Sequence, residues 1–581
     1  RNPCHMPRKP RAQDVEEDAP MLAEAGISRA NSSGLGTSTR RTGVQPVGAD
    51  VEMVAVPEGD APPRAHGAGK AAKPKRGYRE LVLDEAQGEG ERESAPSHAT
   101  ERGSSSTWVI AANNIVYMAA PLAMPATMAS CGWVWGTVIL GYSIVATYHS
   151  ALLLGEVVTS RPHLDSYPKV VGEALVVWAK RNLDGLPLNL EMLRRVGSEL
   201  AVVLQFLSYF FDSTAQVLYC AEYFDQLLPH LPVCQKQWLL LTWVLTIPLM
   251  QAPNFGESSV SVVVAYVCLL LNVATFFAEV WAYTPWDCEP GPSYAQPGVG
   301  QVFIGFTAFA YAFGGHGMYP EEVREMRNPE EWPRVVNYTY GTVCSMYVAC
   351  AYVGYFAYGS GARANLNSNF PNNALNVFSI MVQLVVTYYC IYVTSLVMLL
   401  HIEEHAFGIN PRLSCGEYTA RTGAIRLVFR TAFVGLQVLL CIALVGVQGD
   451  VLLAMQSLSG AIGMTALTYV LPYLLHWMLH PDRVSGCAMR CWYIFNVVVA
   501  IVIMIGGTWF GVKGMVDGII AVADAPDGAE PMCHLEFLYS PMSPCDSCYK
   551  GGLPDKYYAL PPHGRNATCD ALFDDDLRRR R

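Results

Sequence analysis

From about residue 108 to residue 515 the chain is a succession of long apolar runs, and this limits it to one class of fold. A helix that crosses a bilayer needs about 20 mainly apolar residues. Eleven stretches meet that demand, at about 108–129, 133–158, 198–224, 238–253, 258–284, 301–321, 335–358, 374–400, 425–447, 451–478 and 490–514. Trp108, Trp133, Trp238, Trp281, Trp286, Trp332, Trp492 and Trp509 mark several of their ends, the interfacial position that Trp favours. The expectation is an all-α integral membrane protein of eleven transmembrane helices. A soluble chain of 581 residues would divide into several domains, but 51% hydrophobic against 15% charged content argues for the membrane.

Three segments follow from composition. Residues 1–107 are polar, nearly free of aromatics and rich in Gly, Pro, Ala, Ser and charge, which reads as a disordered cytosolic arm. Residues 108–515 form the spanning domain, and 516–581 a polar tail with cysteines. Residues 1–20 lack an apolar core, so no signal peptide is expected and the first span inserts internally. The net charge of −10 points to no nucleic-acid partner. The basic cluster Lys70–Arg79 reads as a solvated segment, or as a contact with anionic lipid.

Lys and Arg set the orientation. With the N-terminus in the cytosol, the cytosolic loops hold Arg161, Lys169, Lys180, Arg181, Arg194 and Arg195, then Arg324, Arg327 and Arg334, then Arg412 and Arg421, then Arg483 and Arg490. The loops on the other side hold Lys236 and Arg363. That asymmetry favours N-inside. An odd number of spans then puts the tail outside the cell or in a lumen. Cys533, Cys545, Cys548 and Cys569 in the tail suit disulfides there, and Asn566-Ala-Thr568 is a glycosylation sequon. Zinc at Cys545-x-x-Cys548 is the other reading, but no second CxxC accompanies it. The other cysteines read as small packing residues.

Two spans are poor helices. Span six runs into Phe313-Gly-Gly-His-Gly-Met-Tyr-Pro320, and Gly costs roughly 1 kcal/mol against Ala in a helix interior. Span one holds Asn113, Asn114 and two prolines, Pro121 and Pro125, each of which removes a backbone hydrogen bond. Non-helical backbone at membrane depth survives only against protein or a watery cavity, and secondary transporters hold substrate at such breaks. Spans one and six lie five apart, the spacing of two inverted five-span halves. A kinked helix capped by its Asn residues is the plainer reading of span one. The substrate-binding candidates are Asn114, Tyr117, Met118, Ala119 and Ala120 in the first break, Phe313, Gly314 and Gly315 in the second, and Thr387 as polar lining from span eight.

Asp212 in span three and His316 in the second break are the candidates for proton handling. A charge at the bilayer centre costs about 2.5–3.5 kcal/mol on insertion scales, so it needs a reason to be there. An imidazole titrates near physiological pH. The plainer reading gives Asp212 a bond to Ser213 or a neighbouring helix, and His316 a structural bond. Glu222 and Asp225 read as solvated near the outer interface, Glu321–Arg334 as a solvated continuation or gate contacts, and His149 and His476 as packing residues. Walker, GxSxG, HExxH and dinucleotide signatures are absent, so no enzyme, cofactor or metal is expected.

The run Phe313-Gly-Gly-His-Gly-Met-Tyr-Pro-Glu-Glu-Val-Arg-Glu-Met-Arg-Asn-Pro-Glu-Glu-Trp-Pro-Arg334 resembles the sixth span of the amino acid/auxin permease family, in its vacuolar or vesicular branch. Asn114 and Met124-Pro125, followed by Gly132-Trp133, resemble the family's first span, and Pro248 with Ser258-Ser259 the end of its fourth. The resemblance covers about 108–515. It implies a leucine-transporter-like 5+5 inverted repeat with one extra C-terminal helix, within the amino acid–polyamine–organocation superfamily. It also implies H+ or, in some branches, Na+ as the coupling ion. Met118 and Ala120 stand where the family has small glycines, which let substrate approach the backbone. This departure bears on selectivity more than on transport. The function expected is secondary transport of amino acids or related small organic solutes, by alternating access and coupled to protons. An auxin-like or aromatic acid carrier and a solute sensor without flux are the alternatives. The plasma membrane and a vacuole- or lysosome-like membrane both suit the tail.

Overall fold

The computed structural model describes residues 103 and 105–523, apart from 119, 184–188, 229–230, 232, 253–258, 288–291, 295, 371–372, 411–412, 414 and 445–450. Most of the arm, most of the tail including Asn566 and its four cysteines, and Ala119 lie outside these residues.

The described residues are helical almost throughout. The long elements are α1 (Thr107–Tyr117), α2 (Met124–Ser160), α3 (Tyr167–Asn182), α4 (Leu190–Leu227), α5 (Gln235–Met250), α6 (Ser259–Tyr283) and α7 (Val299–Ala312). They continue as α8 (Tyr319–Glu325), α9 (Trp332–Tyr358), α10 (Ala374–Phe407), α11 (Ala420–Leu444), α12 (Val451–Ser459), α13 (Leu471–Leu479) and α14 (Cys487–Ala523). Two π-helical turns, Gly460–Met464 and Ala466–Val470, join α12 to α13.

Among the described residues seven stretches are long and apolar enough to cross a membrane: Thr107–Ser160, Leu190–Leu227, Val260–Tyr283, Ala374–Phe407, Ala420–Leu444, Met455–Leu479 and Cys487–Asp517. The sequence gives eleven runs, and the difference has local causes. The 54 residues of the first stretch cover two expected spans. With 16 residues, α5 is about 24 Å long, short of the roughly 30 Å bilayer core. The sixth run is split between α7 and α8. The seventh, α9, is long enough at 27 residues but carries six tyrosines among its apolar residues.

Both irregular spans are built alike. After α1 the chain unwinds, makes a single 3-10 turn at Pro121–Ala123 and re-enters a helix with Pro125 in its first turn. After α7 it unwinds at Phe313–Gly315, makes a 3-10 turn at His316–Met318 and re-enters with Pro320 in the first turn. Proline is tolerated there because the first-turn N–H has no helical partner to lose.

The two expected spans within 107–160 part at Gly132, whose φ of 68° and ψ of 174° suit glycine alone. A Cβ there would also meet the Pro297 ring at 3.0 Å. Gly132→Ala is expected to cost about 1–3 kcal/mol. In a thermal melt of the detergent-solubilised protein it should lower Tm, whereas Gly141→Ala, with open space around it, should not.

In the packing, α4 lies against α3 and α10, α2 against α7 and α9, and α14 against α7. Gly463 lets the π-helical segment approach α4, since a Cβ there would sit 2.7 Å from the Ser208 amide nitrogen. Trp281 and Trp509 are exposed as interfacial residues should be, but Trp238 and Trp332 are buried. Trp332 turns inward because its indole N–H donates to the Ala151 carbonyl at 3.0 Å, over the bare backbone of Gly155.

Candidate functional site

The two interruptions meet at Asp212. α4 carries this carboxyl, 4% exposed, between the last residue of α1 and the penultimate residue of α7. The Tyr311 hydroxyl donates to Asp212 Oδ1 at 2.6 Å, and Tyr117 Oη lies 3.4 Å from Oδ2. Tyr117 also reaches the Gly314 carbonyl at 3.1 Å, so one phenol touches both the carboxyl and the second break. Gln216, one turn along α4, donates to Tyr311 Oη at 3.1 Å and lies 3.5 Å from Asp212 Oδ1. Ser213 bonds elsewhere, to Ser395 at 2.9 Å and Gln437 at 3.2 Å.

A second clasp holds the breaks together from α9. The Tyr347 hydroxyl donates to the Met118 carbonyl, lies 3.0 Å from the Ala312 carbonyl and 3.4 Å from the Ala120 amide. Phe313 packs edge-on against its ring at 5.2 Å. Tyr347→Phe would leave these buried carbonyls short of a donor, a cost of about 1–3 kcal/mol. Solute uptake by that variant should fall roughly 10-fold in kcat/KM, and a wild-type rate would show the clasp to be dispensable.

Towards the N-terminal end of α1, Asn113 donates to Glu322 Oε1 at 2.6 Å and accepts from the Tyr389 hydroxyl at 2.5 Å. Ser105 pairs with the end of α8 through the Glu325 carbonyl at 3.0 Å and the Arg327 amide at 2.9 Å. Thr107 Oγ1 bonds Glu331 at 2.5 Å. Glu322 is therefore buried and hydrogen-bonded rather than solvated. The expectation of solvation also fails for Glu222 and Asp225, which are buried. Glu222 is covered by the 359–370 loop, whose Asn365 donates to its Oε2 at 2.9 Å.

Of the sequence candidates, the geometry brings Tyr117, Gly314 and Asp212 into one cluster, with Met118, Ala120 and Phe313 around Tyr347. Gly315 lies against the Tyr319 hydroxyl, 3.0 Å from where a Cβ would be. Asn114 is buried beside this cluster with its Oδ1 unpartnered. Three residues sit differently. His316 faces α2, with Nε2 3.0 Å from the Thr147 carbonyl and 2.9 Å from Ser150 Oγ, and its Nδ1 has no partner. A carbonyl only accepts, so Nε2 carries the proton in the neutral ring. Thr387 spends its hydroxyl on the Gln383 carbonyl of its own helix, and α10 reaches α1 through Tyr389 and through Cys390, whose sulfur lies 3.4 Å from the Val116 carbonyl. Ala119 is outside the described residues. His149 and His476 make the interhelical contacts expected, to Tyr473 and Trp492 and to Tyr493.

Sequence reasoning missed Tyr311, Gln216, Tyr347, Asn113 and Glu322 as members of these clusters. Asn113 and Glu322 carry a signal, being polar residues flanking the breaks. Tyr347, one of 30 tyrosines, carries none.

The ends of α1 and α7 converge on Asp212 and present the partially negative carbonyl ends of two helices. The N-terminus of α2 presents the opposite sign. A cation would be favoured at the first place and a carboxylate at the second. An apolar groove of about 760 Å³ lies elsewhere, between α5 and α11, lined by Leu240, Trp243, Leu436 and Leu439 among others. It carries no ionisable group.

The family model for transmembrane amino acid transporter protein matches residues 103–513. Amino acid transporter AVT1E of Arabidopsis thaliana is 20% identical over 259 residues, 44% of this chain and 46% of that protein. Vacuolar amino acid transporter 4 of Saccharomyces cerevisiae (strain ATCC 204508 / S288c) is 35% identical over 83 residues, 14% of this chain and 11% of that protein. The matched part of the chain thus spans less than half the length of these relatives. Among solved structures, MhsT in complex with L-phenylalanine aligns with 71% of this chain and 99% of its own at 10% identity and a TM-score of 0.43. Mhp1, a nucleobase-cation-symport-1 family transporter, aligns with 76% and 97% at 14% identity and 0.41, and both likenesses are too distant to assign the fold. On the family match, which takes in most of its length, the chain belongs to the transmembrane amino acid transporter protein family.

Proposed function

We propose that this protein is a secondary transporter of amino acids or related small organic solutes, coupled to protons and working by alternating access through eleven spans with the N-terminus in the cytosol. The observation that carries this is Asp212, a buried carboxyl gripped by hydroxyls from both broken helices. Its two oxygens face phenol and carboxamide donors. Such a setting suits a carboxyl that exchanges a proton better than a carbonyl cage suited to Na+. Hydrogen bonds to a charged group contribute about 1.5–3 kcal/mol each. Protonating Asp212 weakens the grip on Tyr117 and Tyr311 together and so loosens α1 and α7 from α4. His316 is the second proton-handling candidate through its unpartnered Nδ1.

The substrate ammonium would lie toward Asp212 and the Gly314 carbonyl, and its carboxylate toward the start of α2. The Asn113–Glu322 and Ser105–Glu325 contacts would form the closed cytosolic gate. Met118 in place of glycine leaves less room beside the backbone, which favours small solutes over indole acids. Competition against labelled amino acid uptake tests the substrate class in reconstituted vesicles. Unlabelled amino acids should compete. Competition by indole acids alone would instead favour an aromatic acid carrier, and binding without flux a sensor.

A further inference from the structure

We infer that Cys487 and Cys491 are a site of reversible S-acylation, taking a long-chain acyl group at the cytosolic end of α14. The sequence had suggested that cysteines outside the tail are packing residues, and most of those described are. Cys131, Cys220, Cys350, Cys390 and Cys441 are buried, and Cys268 and Cys344 half-buried. Cys487 and Cys491 are exposed. They lie four residues apart in the first turns of α14, so they share one face of the helix.

That face continues in a single material. Ile494, Phe495, Val498, Val502, Ile505 and Trp509 follow at spacings of three and four, all large apolar side chains left exposed. In a helix of this protein such a stripe faces lipid tails. The two thiols therefore stand where the lipid-facing stripe begins, at the end of the span. Arg483 and Arg490 beside them are the basic residues that place this end in the cytosol, where acyl-coenzyme A is found. An acyl chain on either sulfur runs directly along the stripe into the bilayer. Juxtamembrane cysteines of this kind are substrates for reversible acylation. Among the described residues no group of three or more His, Cys, Asp or Glu is arranged for a metal, so the pair has no third ligand.

The step is an acyl transfer. The cysteine sulfur, as thiolate, attacks the thioester carbonyl of a long-chain acyl-coenzyme A. A new sulfur–acyl bond forms, the bond to coenzyme A breaks, and coenzyme A leaves as a thiolate that takes up the proton the cysteine released. Nothing is oxidised or reduced. The inference rests on the N-inside orientation proposed above but not on the substrate.

The full chain is expressed in cells, free thiols are capped, thioesters are cleaved with neutral hydroxylamine, and the thiols released are tagged with a polyethylene-glycol maleimide. Wild type should show one or two hydroxylamine-dependent tags. Cys487→Ser or Cys491→Ser should lower the tag number, and the double variant should lose these tags while keeping the wild-type size-exclusion profile. An absence of hydroxylamine-dependent tags in wild type overturns the inference. So does a double variant with the wild-type pattern, or tagging that requires a reductant instead of hydroxylamine. A membrane-impermeant maleimide applied to intact cells separates the two layers of the argument. Labelling of Cys487 and Cys491 from outside would overturn the orientation itself, and with it the access to cytosolic acyl donors.

Discussion

Asp212→Asn is expected to remove solute accumulation driven by a pH gradient, by roughly 100-fold, while sparing exchange of labelled for unlabelled solute. Asparagine has nearly the shape of aspartate, and its Oδ1 still accepts from Tyr311. What it cannot do is change charge. In the wild type the charged and neutral forms differ in their hold on Tyr117 and Tyr311, by about 1.5–3 kcal/mol for each bond. A difference of about 2.8 kcal/mol is 100-fold in an equilibrium constant. The variant is left in one state of the switch, so a gradient has nothing to act on. Exchange needs only the substrate-loaded transporter to reorient and should persist at solute concentrations that offset the weaker hold on the substrate ammonium. If Asp212→Asn accumulates solute like wild type, Asp212 is not the coupling group.

The largest effect on stability is expected at Glu403. This carboxylate, fully buried on α10, takes both arms of Arg430 from α11, at 2.6 and 3.0 Å. Arg430 also donates to the Met250 and Ala252 carbonyls, each at 2.7 Å, where α5 ends. Arg426, equally buried, sits with Nε 3.0 Å from Glu403 Oε2 and lies over the Tyr418 ring at 4.8 Å. One carboxylate thus serves two buried guanidinium groups and fastens α5, α10 and α11. Glu403→Gln leaves both cations without a counter-charge, which costs about 3–5 kcal/mol for a broken buried pair. The melting temperature in detergent should drop by roughly 4–6 °C. Removing the uncompensated charge as well, with Arg430→Met, should restore part of the loss. An unchanged melt in Glu403→Gln would mean that the carboxylate is not needed.

Hydropathy makes the helices legible because a span is a local property. Among the described residues the expected runs are mainly helical apart from the two interruptions, and prolines and glycines mark both of these, since Pro121, Pro125 and the Gly314-Gly315 pair act on their own backbone. What the helices touch was not legible. Asp212 stood out as a charge at depth, but its partners come from α1 and α7, about 100 residues away on either side. Thr387 shows the opposite error, because a hydroxyl that reads as pocket lining bonds back to its own helix, as Thr commonly does. Glu222 and the Glu321–Arg334 stretch with Glu322 read as solvated because they lie near span ends. Glu222 and Glu322 are each buried by a partner from a distant segment, Asn365 and Asn113 respectively. His316 drew attention for its place among glycines, yet which helix its ring faces depends on how α2 packs against the break.

One measurement bears on proton-coupled transport most directly. Purified protein is reconstituted into liposomes, and labelled amino acid uptake is followed with pH and sodium gradients imposed separately. A proton-coupled carrier will concentrate solute inside when the outside is acidic, will lose that accumulation with a protonophore, and will ignore sodium. Uptake that follows the sodium gradient, or that only equilibrates whatever the pH difference, would contradict it.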